Sequence, residues 1–150
     1  MKVIETYTQA IATIDPFLCT SSHNRRYCDI WIEFAKFYEE YHEDTEEGLK
    51  NVREIYTKAT KSASFRNVDD LATIYCEWAE MELRHKKYDE CRQVMRDATT
   101  LPSDEKLKLN RKKMETQLTV QERLHQSKKI WAFMADIEVL SIFFFFFFEK

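Results

Sequence analysis

Four cysteines are the most reactive side chains in this 150-residue sequence. Cys19, Cys28, Cys76 and Cys91 form no C-x-x-C pair, and no paired histidines lie near them. A zinc site or a dense disulfide scaffold needs such close pairs, so the spacing predicts no metal and no cofactor. It also favours a reducing compartment, either the cytosol or the nucleus.

Carboxylates and serines are the next candidates for a reactive site. The acidic segment at residues 39–47 lacks the residue order and glycine of an EF-hand loop, so we interpret it as a solvated connector. Ser21 and Ser22 precede His23 without the glycines of a nucleophile elbow. The other histidines are scattered singly, at His42, His85 and His125. These patterns predict surface histidines and a protein that is not an enzyme.

Composition excludes further classes of function. The chain has a single glycine, Gly48, whereas Walker loops and dinucleotide-binding turns need several where the backbone approaches phosphate. The net charge is −3, from 23 basic and 26 acidic residues, so the chain lacks the basic excess of a dedicated nucleic-acid binder. We therefore expect protein partners.

Helical periodicity supplies the elements that must present any contact surface. One apolar stripe at spacing i, i+3, i+4 and i+7 predicts a helix over residues 28–43. A second stripe predicts a partner helix, and the two should form an antiparallel hairpin. The first stripe is Trp31, Phe34, Ala35 and Tyr38, and the second is Val52, Ile55, Tyr56 and Ala59.

Both stripes recur further along the chain. The first returns at an offset of 44 residues and the second at an offset of 39 residues. The recurring residues are Tyr75, Trp78 and Ala79, then Cys91, Val94, Met95 and Ala98, with Arg92 matching Arg53. Two hairpins in register, at 28–61 and 68–102, predict an all-α solenoid of antiparallel helix pairs.

Partial repeats flank the two hairpins. Residues 1–17 match a second helix, and residues 128–141 match a first helix. The stripe of the latter is Trp131, Met134, Ala135 and Glu138. Because solenoid units bury their faces only against neighbours, we expect this chain to be a fragment of a longer array.

Two segments do not match the repeat pattern. Residues 103–129 hold eight basic and four acidic residues. We interpret 103–127 as an inserted polar linker, with a contact for RNA or an acidic partner over 106–129 as the alternative. The tail at 142–150 carries six phenylalanines, too short an apolar run to span a membrane, and we hypothesise that a pyrimidine-rich intron tract encodes it.

The aromatic and basic repeat positions each have two interpretations. Trp31, Trp78 and Trp131 could stack on RNA bases, but their place on apolar stripes predicts core packing. Arg53 and Arg92 could bind phosphate, but equivalent positions in successive repeats predict structural contacts with neighbouring helices or carboxylates.

The patterns Trp31-x-x-Phe34-Ala35-x-x-Tyr38 and Arg53-x-Ile55-Tyr56-x-x-Ala59 resemble the half-a-TPR (HAT) repeat of RNA-processing scaffolds. An ordinary TPR unit has about 34 residues, so the 39-residue offset favours HAT. Longer stretches are similar to the HAT-repeat pre-mRNA-splicing factors, at residues 3–17, 31–39, 68–75, 82–90, 98–102 and 128–136.

The resemblance implies a nuclear scaffold subunit of the spliceosome that binds other spliceosomal proteins. It further implies membership of Prp-nineteen-associated and intron-binding assemblies, with a link to transcription-coupled DNA repair.

Overall fold

The computed structural model describes residues 2–19, 23–41, 45–61 and 63–148 and is all-α over these ranges. The predicted fold class is confirmed. The helices are α1 Lys2–Thr13, α2 Tyr27–Tyr41, α3 Glu46–Lys61, α4 Val68–Arg84, α5 Tyr88–Thr99, α6 Asp104–Asn110, α7 Val120–Arg123 and α8 Lys128–Phe148. Short 3-10 turns at Glu115–Gln117 and Leu124–Gln126 flank α7.

Two helix hairpins form the centre of the molecule. Helix α2 packs on α3, and α4 packs on α5, while α4 also contacts both helices of the first hairpin. Short connectors between packed helices make each pair antiparallel. The apolar stripes meet between them, so the core is continuous from α2 to α8. The largest fully buried side chains include Tyr56, Leu71, Ile74, Met81 and Met95.

The turn between α4 and α5 shows how a chain with so little glycine ends a helix. Lys86 adopts a left-handed φ of 59°, a position that glycine usually occupies. Its N–H donates to the Leu83 carbonyl at 3.0 Å, and the Lys87 N–H donates to the Glu82 carbonyl at 2.8 Å. These two bonds form a Schellman motif that reverses the chain and sets α5 against α4.

The segment predicted as a linker, 103–127, contains helices, and part of it is buried. Helix α6 is mostly exposed, whereas Val120 and Leu124 are 6% and 5% exposed and belong to the central core. Thr119 and Glu122 form a capping box that starts α7. Two apolar residues four apart are too short a pattern for periodicity to detect, although they suffice to anchor one turn.

The stripe predicted for the last helix needs correction. Trp131 is 48% exposed and Ala135 is also exposed, whereas Ile130 and Ile137 are buried. The face of α8 toward the core is thus rotated by one residue, or about 100°, from the predicted stripe. The Trp131 indole Nε1 donates to the His125 carbonyl at 2.7 Å, so the ring caps the preceding turn rather than entering the core.

The phenylalanine-rich tail continues α8 as far as Phe148, and Ile142 and Phe143 are exposed. Within the described part of the chain, no helix combines the length and apolar character that crossing a bilayer requires. Residues 149–150 of the predicted tail lie outside the described residues.

Candidate protein-contact scaffold

The predicted repeat positions line the joints between helices. The buried ones are Trp31, Phe34, Ala35, Ile55, Tyr56, Ala59, Ala79, Val94, Met95 and Ala98. The half-buried ones are Tyr38, Arg53, Tyr75, Trp78, Arg92 and Met134, and the exposed ones are Trp131 and Ala135. Most of these side chains therefore hold helix against helix instead of facing a ligand.

Aromatic rings of the repeat positions stack on one another. The Tyr56 and Trp78 rings lie 5.8 Å apart at 8°, which joins α3 of the first hairpin to α4 of the second. The Tyr7 and Phe34 rings lie 5.2 Å apart at 21°, which joins α1 to α2. A ring already stacked within the protein has little face left for an RNA base.

A buried ion pair connects the two hairpins. The Arg53 guanidinium donates from Nε to Glu82 Oε1 at 2.7 Å and from Nη2 to Oε2 at 2.8 Å. Trp78 Nε1 adds a third hydrogen bond to Oε1 at 3.2 Å. The Glu82 side chain is 1% exposed, so its charge depends on these donors. Arg53 thus contacts a carboxylate of the neighbouring repeat.

Arg92 makes the corresponding contact one repeat later. It lies at the position of α5 that matches Arg53 in α3, and its guanidinium donates to the Ser141 hydroxyl of α8. Asp89, one turn earlier, lies 3.9 Å away. The second helix of each repeat, α3 or α5, therefore uses an arginine to contact the first helix of the following repeat, α4 or α8.

A ladder of ion pairs joins the first helices, α2 and α4. Arg26 Nη1 lies 3.0 Å from Asp70 Oδ1, and Lys36 Nζ lies 3.0 Å from Glu77 Oε2. The third ion pair of the ladder joins Glu39 of α2 to Arg84 of α4. Sequence analysis missed these pairs, although the 44-residue offset of the two stripes places equivalent residues opposite each other, as with Arg26 and Asp70.

Glu39 ends the ladder in a polar cluster. Its carboxylate accepts hydrogen bonds from Arg84 Nε at 2.9 Å and from Arg84 Nη2 at 2.7 Å, and His85 Nε2 lies 3.0 Å from Oε1. His85, predicted on the surface, has a side chain only 13% exposed because it packs on this carboxylate. Burial alone would raise the pKa of Glu39, but hydrogen bonds and charge from Arg84 and His85 outweigh it and lower that pKa.

This cluster should make the fold sensitive to acid. Because the folded pKa of Glu39 lies below its unfolded value of about 4.3, its contribution is complete above that pH and is lost as pH falls through the folded pKa. Glu39→Gln should lower the free energy of unfolding at pH 7 by about 1 kcal/mol and have little effect in acid. Urea titrations from pH 7 to 3 test this. The neighbouring exposed Glu40→Gln is the control, and an equal loss in both variants at pH 7 would contradict the assignment.

The cysteines are free and mostly buried. Burial raises the pKa of the Cys28 thiol to about 12, with a further contribution from Asp70, and it raises the pKa values of Cys76 and Cys91 to about 11. Cys19 is only half-buried. No group of histidine, cysteine and acidic side chains that could hold a metal ion occurs within the described ranges.

We expect only Cys19 to react rapidly with a thiol reagent in the native protein. At pH 8 a thiol of pKa 11 is ionised in about one molecule in a thousand, and burial also blocks access. Ellman's reagent should therefore titrate about one thiol in buffer and all four in guanidinium. Cys19→Ser should abolish the fast phase, whereas three or more fast thiols in the native protein would refute the packing described for these cysteines.

Comparison with known proteins agrees with this architecture. Residues 21–142 match the family described as the Pre-mRNA-splicing factor Syf1/CRNKL1 C-terminal HAT repeat. The chain is 39% identical over 137 residues to Pre-mRNA-splicing factor SYF1 of Homo sapiens. It is 34% identical to Pre-mRNA-splicing factor syf1 homolog of Drosophila melanogaster and 35% identical to Pre-mRNA-splicing factor cwf3 of Schizosaccharomyces pombe.

These alignments cover 91% of this chain but only 14% of the human and fly proteins and 16% of the yeast protein. The chain thus spans about a seventh of the length of these relatives. The family match includes both hairpins, the buried arginine contacts and the first part of α8. The chain therefore belongs to the Syf1/CRNKL1 C-terminal HAT-repeat family of pre-mRNA-splicing factors.

Proposed function

We propose that this chain is a non-enzymatic scaffold segment that acts in the nucleus by holding spliceosomal proteins together. The observation that carries the proposal is the use of the repeat positions for joints between helices, exemplified by the Arg53–Glu82 pair. Such joints stiffen a solenoid, and a stiff surface binds partners at a smaller entropic cost than a flexible one. Its relatives are named as pre-mRNA-splicing factors, and this supports splicing as the process in which the chain acts.

We further propose that the chain takes part in Prp-nineteen-associated and intron-binding complexes and is linked to transcription-coupled DNA repair. The resemblance to HAT-repeat splicing factors supports this part of the proposal. Contacts with these proteins would use the helix faces left exposed by the joints, where charged side chains such as Glu54, Lys58 and Glu80 lie.

A second candidate is direct RNA binding through residues 106–129. Helix α6 favours it, because Lys106, Lys108 and Arg111 are exposed there. Contacts with phosphates weaken steeply as salt rises, whereas a protein interface with an apolar centre does not.

Affinity purification separates the two candidates. The tagged full chain would be incubated in nuclear extract, treated with ribonuclease and washed at increasing salt, and the retained proteins identified by mass spectrometry. The scaffold proposal predicts spliceosomal subunits that persist through both treatments and are reduced with Trp31→Ala, the destabilised control. Recovery of chaperones alone by a folded sample, or loss of every subunit after ribonuclease, would overturn it.

A further inference from the structure

An open cleft of about 680 Å³ lies where the N-termini of α4 and α8 meet. Five basic side chains line it, from the residue before α2, the α3–α4 connector, the end of α7 and the start of α8. They are Arg26, Arg66, Arg123, Lys128 and Lys129. Helices of 17 and 21 residues direct the positive ends of their dipoles at the same place.

The charges of this cleft do not cancel. Asp69 and Asp70 also line it, but Asp70 already forms an ion pair with Arg26, with 3.0 Å between Oδ1 and Nη1. Lys129 Nζ donates to the Thr73 hydroxyl at 2.7 Å. Arg66 and Lys128 are exposed and have no acidic partner in the part of the chain that the structure describes. The cleft therefore holds a positive excess on a chain whose net charge is −3.

The Ser127 hydroxyl is buried beside the cleft and has no hydrogen-bond partner among the residues that the structure describes. Ser127 directly precedes α8 and is 6% exposed, yet its Oγ makes no hydrogen bond within the described residues. Serine at this place normally accepts an N–H of the first helical turn. Asn67, which precedes α4, likewise makes no capping hydrogen bond with its side chain. Both helix N-termini thus keep N–H groups that an anion could bind.

We propose that this cleft binds a phosphorylated serine or threonine of a partner protein. A phosphomonoester carries close to two negative charges and three acceptor oxygens, which matches two helix N-termini and the exposed Arg66 and Lys128 around one cleft. Single-stranded RNA fits less well, because the described residues that line the cleft include no aromatic ring to stack on a base. The inference rests on the proposed scaffold function, since it specifies the chemistry of one partner.

The test uses the full chain, labelled with nitrogen-15, and a blocked pentapeptide with phosphoserine between pairs of alanines. We expect saturable amide shifts centred on Asn67, Ser127 and Lys128, and no such shifts with the unphosphorylated peptide. Combined Arg66→Gln and Lys128→Gln should weaken binding by at least about tenfold. Lys106→Gln with Lys108→Gln on α6, which removes the same charge, is the matched control.

The inference would be overturned by equal shifts with the unphosphorylated peptide or by equal weakening in the α6 control. Tighter binding of an oligouridine that depends on Arg66 and Lys128 would also overturn it. An outcome in which the peptide fails to bind while nuclear extract still yields spliceosomal subunits would overturn the phosphate site and leave the scaffold proposal standing. Binding of the peptide without recovery of those subunits would do the reverse.

Discussion

Replacing Arg53 with alanine should lower the free energy of unfolding by about 3–5 kcal/mol, a large part of the stability of a domain this size. Among the residues that the structure describes, the substitution leaves the Glu82 carboxylate, which is 1% exposed, with the Trp78 indole as its remaining donor. An unpaired buried charge costs far more than the pair contributes, because the carboxylate loses its two charged hydrogen bonds while it stays largely removed from bulk water. Urea unfolding followed by circular dichroism measures the change.

Two further variants make this prediction specific. Arg25 and Glu33 form an exposed pair with N–O 3.4 Å, so Arg25→Ala should cost less than about 0.5 kcal/mol. Arg53→Met combined with Glu82→Leu removes both charges and should recover most of the loss, since apolar residues can replace a buried pair. Equal destabilisation by Arg25→Ala and Arg53→Ala, or no recovery in the double variant, would show that Glu82 does not depend on Arg53.

Trp31→Ala should destabilise the fold by about 3–5 kcal/mol, whereas Trp131→Ala should cost less than about 1.5 kcal/mol. The two tryptophans occupy equivalent positions in the sequence pattern, but Trp31 is 6% exposed and Trp131 is 48% exposed. Truncation of Trp31 leaves a cavity between α1, α2 and α3, while truncation of Trp131 removes mainly one hydrogen bond to the His125 carbonyl.

The same unfolding measurement compares the two tryptophan variants directly. Ile130→Ala provides the complementary test on α8, because Ile130 is fully buried and should cost about 2–4 kcal/mol. A Trp131 variant as unstable as the Trp31 variant, with Ile130→Ala nearly neutral, would restore the predicted stripe and contradict the observed rotation of α8.

The hairpins were predictable because apolar side chains at helical spacing repeat in register. Trp31, Ile55 and Met95 all reach the core from stripes visible in the sequence. The register of α8 was not predictable in this way. Ile130, Trp131 and Met134 are all apolar, and the sequence pattern alone does not indicate which of them is buried. Packing decides it, because α8 packs on α4 and α5 with Ile130 fully buried, while the Trp131 indole donates to a backbone carbonyl at the surface.

The polar contacts were harder to predict from the sequence than the core. Arg53 is predicted to contact a neighbouring helix or a carboxylate, but the pattern does not identify its partner Glu82, which lies 29 residues away on another helix. The cleft is still harder to predict from sequence, since the packing of α7 on α4 is what brings Arg66 close to Ser127 and Lys128. A segment interpreted as a linker thus supplies one wall of the proposed phosphate site, and no local pattern indicates that.

The central claim is that this chain works in the spliceosome through protein contacts made by a rigid helical surface. Cross-linking mass spectrometry on spliceosomes assembled with the tagged chain tests it most directly. We expect the exposed Lys50, Lys58 and Lys86 to cross-link to spliceosomal proteins, and these cross-links to persist after ribonuclease treatment. Incorporation of the chain with cross-links to RNA alone, or none to any spliceosomal protein, would contradict the claim.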